Sequence, residues 1–141
     1  MENKLALKRF YNSAENSHNE FGKYQIGVDE VGRGPLFGRV YCASVILPKN
    51  DYDENGNSYD FSKIKDSKKF TSKKKINEVA NYIKKIALSW DVSYVDEDII
   101  DNINILQATQ FAMHNSIKST IRNLYKNENV NQEKSNKDYN E

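Results

Sequence analysis

Cysteine is almost absent from this chain: Cys42 stands alone among 141 residues, so no disulfide can form within it. That scarcity suits a reducing compartment and points to the cytoplasm. No apolar run approaches the roughly 18 residues of a membrane span. The polar opening "MENKLALKRFYNSAENS" also lacks the apolar region of a signal peptide, so no membrane partner is expected. An excess of either charge is missing too. Twenty-one Lys and Arg face 20 Asp and Glu, a net charge of +1, and any attraction for a polyanion must therefore be local. Internal repeats are absent. What remains is 38% hydrophobic and 29% charged, the balance of a soluble globular chain, and its length allows one domain with a modest core.

Residues 1–23 form a polar lead-in. Tyr24-Gln25-Ile26-Gly27-Val28 is a short β-prone run that stops at Gly32-Arg33-Gly34-Pro35, where two glycines and a proline break regular structure. Val40 to Leu47 reads as a mostly buried strand ended by Pro48, and the short turn before it predicts an antiparallel hairpin. A polar loop, "KNDYDENGNSYD", follows. Thr71 or Ser72 can cap a helix whose residues Ile76, Val79, Ala80, Ile83, Ile86 and Ala87 share one face. In "SWDVSYV", Trp90, Val92 and Tyr94 alternate with Asp91 and Ser93, a strand with one wet face, and Trp90 and Tyr94 read as core anchors. Asp96 to Asp101 is an acidic connection. A longer helix then carries Ile103, Leu106, Met113, Ile117, Ile121 and Leu124 as its stripe and ends near Tyr125. Residues 126–141 hold almost nothing apolar and read as a solvated tail. The order β-β-α-β-α describes one α/β or α+β layer over 24–125.

Three segments could carry chemistry. Asp29 and Glu30 close the first strand, where neighbours face opposite sides unless the strand ends or bulges. Converging, they would suit Mg²⁺ or Mn²⁺; diverging, they are an exposed acidic pair of the ordinary kind. The Gly32-Arg33-Gly34 turn lets backbone amides and a forked guanidinium approach a phosphate or a hydroxyl. A bound cation would reconcile that turn with the acids beside it, by drawing phosphate towards an otherwise repelling strand. A dinucleotide loop is the rival reading, but Gly32, Gly34 and Gly38 are spaced G-x-G-x-x-x-G and a strand follows in place of a helix. Last, residues 63–75 hold seven lysines against the single Asp66, either a nucleic-acid contact or a solvated helix start. Cys42 reads as core. His18 and His114 have no partner at ligand spacing.

Taken together, "GVDEVGRGPLFGRV" at 27–40, Asp66-Ser67-Lys68-Lys69-Phe70, and "IDNINILQAT" at 100–109 resemble the type 2 ribonucleases H, the ribonuclease HII family. Phe37 and Arg39 depart from the small or apolar residue and the proline usual there. The resemblance implies a ribonuclease H-like α/β fold whose N-terminal part is three antiparallel strands with packed helices. It also implies a hydrolase, an endonuclease cutting the RNA strand of RNA–DNA hybrids, including ribonucleotides embedded in duplex DNA. The products would be 5′-phosphate and 3′-hydroxyl ends, made with Mn²⁺ or Mg²⁺ in a two-metal mechanism, the ions about 3.5–4 Å apart. Asp29 and Glu30 match the first two catalytic, metal-binding acids. Gly32, Arg33 and Gly34 match the element that senses the 2′-hydroxyl, the group distinguishing RNA from DNA. Lys68, Lys69, Asn104 and Gln107 match positions that hold the duplex backbone. The family's later acids, one of them in an Asp-Gly-Asn motif, have no counterpart, since no Asp-Gly occurs in the chain. The resemblance therefore implies a chain shortened at its C-terminus. It would be inactive alone, a hybrid-binding remnant, unless a second chain completes the fold.

Overall fold

The computed structural model describes residues 24–31 and 38–138, with side chains described as far as residue 130. Three strands form one antiparallel sheet in the order β1-β2-β3: β1 (Ile26–Val31), β2 (Val40–Ile46) and β3 (Ser89–Val95). β-Branched and aromatic residues fill them, as a pleated, half-buried surface favours. The expected hairpin is present, with Ile26 opposite Ile46 and Val31 opposite Tyr41. This mixed α/β arrangement agrees with a ribonuclease H-like fold.

Between β2 and β3 run a polar loop, two 3-10 turns (Phe61–Lys63 and Ser67–Lys69) and helix α1 (Lys73–Ile86). The loop is organised by Asp53, whose carboxylate accepts from the amides of Asn55 and Asn57 at 2.9 and 2.8 Å, while Gly56 takes the positive φ (80°) of the turn. Ser72 is the N-cap residue of α1, although its side chain makes no capping bond. The apolar face of α1 forms as its spacing predicts, yet no residue of the helix is buried.

The acidic stretch after β3 is a helix in place of a connection: α2 (Glu97–Ile103), favoured by Glu97 and Asp98 in its first turn, where the helix dipole is positive. Asn104 then breaks the path with φ 71°, and α3 (Ile105–Asp138) begins. α3 therefore runs well past Tyr125. The stretch from 126 to 138 contains neither Gly nor Pro, and a helix already nucleated continues through Lys, Glu, Gln and Asn at little cost. Composition there speaks to packing and not to where the helix stops.

The core lies between the sheet and α3, built on Val40, Cys42, Val95, Ala108 and Ala112, with Ile100, Ile103, Ile105 and Met113 against it. Cys42 is core, as expected. The buried residues of α3 are Ala108, Ala112, Ser116, Thr120 and Leu124, an i, i+4 row, with Thr109 beside it. Of the large apolar stripe that periodicity suggests, Leu124 is buried and Ile103 and Met113 pack against the core, but Leu106 and Ile121 are exposed. Small side chains let the helix approach closely, and a hydroxyl seam closes the gap. Ser44 Oγ meets Ser116 Oγ at 2.7 Å and Thr120 Oγ1 at 2.6 Å, and Ser89 donates to the Thr120 carbonyl at 2.7 Å.

That choice of face overturns one expectation. Asp91 and Ser93 turn towards α3, where Ser116 donates to the Asp91 carbonyl at 3.1 Å. Trp90, Val92 and Tyr94 turn outwards and stay 38%, 49% and 48% exposed. They are not core anchors in this chain. The covering helix offers hydroxyls and methyls, which accommodate the small polar side of β3 better than its aromatic side.

Candidate functional site

The register fixes one end of the molecule. Val31 ends β1 opposite Tyr41, and Val40 begins β2 opposite Val95, the last residue of β3. The end of β1, the start of β2 and the beginning of α2 therefore share one rim. Asp29 and Glu30 lie two rungs or fewer from it.

Both acids sit inside β1, not at its end, and their pairing is regular: Asp29 faces Ala43 across the ladder and Glu30 faces Cys42. The ladder runs without a bulge from Ile26 to Val31. Consecutive strand residues then point to opposite faces. Glu30, half-buried, is on the side of Cys42 and α3, whereas Asp29 is exposed on the outer side with Ala43. One oxygen of Asp29 accepts the backbone amide of Glu30 at 2.9 Å. The field of both acids is felt at Cys42, whose thiol is pushed above its ordinary pKa by burial first and then by Glu30 and Asp29.

These positions test the fit of a metal. Oxygen donors of this kind suit a hard divalent ion. Opposed across a strand, however, the two carboxylates do not close on one point, and no group of three His, Cys, Asp or Glu able to hold a metal occurs among the described residues. The described donors do not assemble a two-ion centre.

Gly32, Arg33 and Gly34, the candidate 2′-hydroxyl sensor, lie outside the described residues. Lys68 and Lys69 are exposed on the second 3-10 turn, which Asp66 caps by accepting from the Lys68 amide at 3.0 Å. Asn104 and Gln107 come together at the start of α3. The Asn104 side-chain oxygen accepts the Gln107 amide at 3.1 Å, and its carbonyl accepts the Ala108 amide at 3.0 Å. Asn104 thus has a structural task, capping α3 from a backbone conformation that few residues other than Gly and Asn adopt.

Sequence reasoning noted Arg39 only as a departure. The structure gives it three partners on the rim. Its guanidinium lies 4.5 Å from the Tyr94 ring centroid, donates to Asp96, and is held more firmly protonated by hydrogen bonding to Tyr41 and then to Asp96. Asp96 is the N-cap residue of α2 but makes no side-chain capping bond, its carboxylate being turned to Arg39. No sequence signal marks this cluster, because Arg39 and Asp96 are 57 positions apart.

Comparison with known proteins agrees with the motifs. A family model described as Ribonuclease HII matches residues 26–140. A protein named Ribonuclease HII from Trichormus variabilis is 46% identical over 92 residues, which are 65% of this chain and 39% of that protein. One of the same name from Oceanobacillus iheyensis is 47% identical over 94 residues, 67% of this chain and 33% of the relative. A third, from Chlorobaculum tepidum, is 44% identical over 93 residues, 66% and 43% of the two chains. The chain spans between about a third and two fifths of the length of these curated relatives.

Proposed function

This chain belongs to the ribonuclease HII family, and from that premise we propose that it serves in hydrolysis of the RNA strand of RNA–DNA hybrids, single embedded ribonucleotides included. The observation that carries the proposal is the placement of Asp29: a carboxylate exposed on the strand that leads into Gly32-Arg33-Gly34, within the matched region. Ribonuclease HII proteins are generally divalent-metal dependent, and in this proposal Asp29, exposed on the outer side of β1, supplies one oxygen ligand to a Mn²⁺ or Mg²⁺ ion whose other ligands come from outside the described residues. Such an ion would supply the positive charge that lets a phosphate approach an acidic strand.

The chain's other residues bind and orient. Lys68 and Lys69 take backbone phosphates, Asn104 and Gln107 bound the duplex at the start of α3, and Arg33 between its glycines reads the 2′-hydroxyl. One feature of α1 supports the basic segment as a binding element. Lys73, Lys74 and Lys75 occupy its first turn, with no acidic residue there, against the positive end of the helix dipole. Helix stability does not call for them at that place, whereas a polyanion does.

A second reading, a hybrid-binding protein without catalysis, is favoured by the opposed faces of Asp29 and Glu30 and by the absence of a three-acid cluster among the described residues. In the first reading the further metal ligands come from outside the described residues, a second chain being one source. A labelled duplex with one ribonucleotide, incubated with and without Mn²⁺ and also run as a mobility shift, separates the two. Metal-dependent cleavage 5′ to the ribonucleotide that is lost in Asp29→Asn supports the enzyme. Binding without cleavage supports the second reading, and neither binding nor cleavage refutes both.

A further inference from the structure

Residues 60–82 enclose a cavity that the proposed cleavage and duplex contacts leave unused. Helix α1 leans against the loop before it. The Tyr82 hydroxyl accepts the backbone amide of Asp60 at 2.6 Å, and between helix and loop opens a cavity of about 450 Å³. That volume falls in the range of roughly 300–1,000 Å³ usual for ligand sites. Two half-buried rings, Phe70 and Tyr82, wall it. Each ring carries a lysine: the Lys65 ammonium is 4.8 Å from the Phe70 centroid, and that of Lys63 is 5.1 Å from the centroid of Tyr82. Lys75 also lines the cavity, against a single carboxylate, Glu78, among the described lining residues; Asp60 bridges Lys63 from outside at 3.3 Å. A cavity of similar size beside Trp90, about 430 Å³, is lined by one lysine, Lys84, and by Asp91, and so has no net charge to offer an anion.

We propose that the cavity between α1 and its preceding loop takes one unpaired nucleotide of a strand continuing out of the bound duplex. The base lies against Phe70 and Tyr82, and the phosphate lies among Lys63, Lys65 and Lys75. The inference deepens the proposed function and rests on its nucleic-acid reading, not on cleavage.

Chemistry, placement and energy all select this occupant. Rings beside cations suit any single strand, because every base has a π-face and every nucleotide brings a charge. Lys65 and Phe70 flank the turn that presents Lys68 and Lys69, so a strand leaving those two lysines has the cavity on the same segment. An exposed lysine over a ring is worth roughly two- to fivefold in affinity. A base stacked in its place is worth roughly five- to 150-fold. A lysine that leaves its ring for the phosphate is therefore replaced there by something held more tightly. An apolar peptide suits the cavity less well, since it would cover three ammonium groups without supplying an anion.

The full 141-residue chain is titrated by fluorescence anisotropy against three labelled nucleic acids. These are a blunt RNA–DNA hybrid, the same hybrid with about four unpaired nucleotides added at each of its ends in turn, and a short single strand. Divalent metal is omitted so that nothing is cut. One of the extended hybrids should bind at least about fivefold more tightly than the blunt one. Phe70→Leu, which keeps an apolar side chain but no ring, should remove that gain and leave blunt binding as it was. Lys65→Gln should reduce the gain and its salt dependence. Should Phe70→Leu alter the far-ultraviolet circular dichroism, Lys65→Gln, at an exposed position, decides in its place. Binding of the single strand without the blunt hybrid, lost in Phe70→Leu, supports the cavity and refutes the duplex contacts. Equal affinity for blunt and extended hybrids overturns the proposal and leaves the duplex contacts standing. So does a gain that both variants keep, or one that an equal concentration of free mononucleotide abolishes. Failure to bind any of the three nucleic acids overturns both.

Discussion

Cys42 and Ala43 are neighbours in β2, and the two faces they mark are built on opposite rules. On the Cys42 side, α3 seals the sheet with Ala108, Ala112, Ser116 and Thr120, and even Ser44 and Ser89 are buried and bonded there. On the Ala43 side stand a tryptophan, two tyrosines and three valines, and half of their surface or more is retained by Val31 and nearly half by Val92 and Tyr94. Close packing, more than apolar content, separates the two. The inner face gains from many short-range contacts and satisfied hydroxyls, which a helix of small residues permits. The outer face has more hydrophobic surface to bury and has not buried it.

The sharpest way to break this contrast is to place one charge on either face. Val40→Lys puts an ammonium where exposure is 0%, beside Val95 and Ala108. It should cost upwards of about 4 kcal/mol and remove the cooperative transition in urea. Val92→Lys, on a side chain already half-exposed, should shift the stability of the lone chain by no more than about 0.5 kcal/mol. Equal losses from the two variants would mean that the outer face is packed in the free chain.

Next in size is Asn104, where the fold and the candidate site meet. Its cap on α3 is worth about 1 kcal/mol, and its φ of 71° is disfavoured by about another 1 kcal/mol for a residue with a Cβ and no local hydrogen bond. Asn104→Ala should thus cost about 2 kcal/mol, and Asn104→Gly a few tenths. Hybrid binding by the glycine variant divides structure from function: weakened binding in a protein of normal stability assigns the amide to the duplex, and unchanged binding leaves it a cap alone.

The three strands, the hairpin, the face of α1 and the burial of Cys42 were legible in the sequence, because each is written in periods of 2 or 3.6 and in turn residues, whereas the antiparallel order of all three strands came from the family resemblance. The motifs were legible because their residues adjoin. What could not be read depends on partners far along the chain. The stripe Ala108-Ala112-Ser116-Thr120 is invisible to a search for large apolar residues. Which side of β3 meets α3 is set by the depth of that groove, and so Trp90 and Tyr94 were placed inside. The opposed faces of Asp29 and Glu30 follow from a ladder that continues to Val31, one residue short of the glycines that suggested a break. Arg39, Tyr94 and Asp96 meet only once β2 and β3 are paired.

A smaller effect probes the seam of the inner face. Ser44→Ala deprives Thr120 and Ser116 of a shared partner, although Ser116 keeps the Asp91 carbonyl at 3.1 Å and Thr120 the Ser44 carbonyl at 3.4 Å. A loss of about 1–2 kcal/mol is expected, the cost of leaving a buried hydroxyl under-satisfied. Because the three hydroxyls act together, Ser44→Ala with Thr120→Val should be less damaging than the sum of the singles. Additive losses in that cycle would show that the hydroxyls do not cooperate.

The smallest effect is confined to alkaline pH and reads the inner face through Cys42. Burial raises its thiol pKa, and the Glu30 and Asp29 carboxylates raise it further. A thiol that holds its proton longer folded than unfolded stabilises the fold fully below the unfolded value of about 8.5 and loses that contribution as pH rises. Above that value the folded chain binds more protons than the unfolded one, so unfolding free energy must fall with pH, by at most about 1.4 kcal/mol per unit from this one group. Replacement by alanine removes the slope but leaves the fixed cost of a small cavity. Urea titrations of the unaltered chain and of Cys42→Ala at pH 7, 8, 9 and 10, with a metal chelator present, should give curves that converge as the pH rises. Tyrosine and lysine titrations are common to both proteins and cancel in the difference. Parallel curves would show that Cys42 meets the same surroundings folded and unfolded, which a residue 1% exposed beneath α3 cannot do if the inner face is sealed.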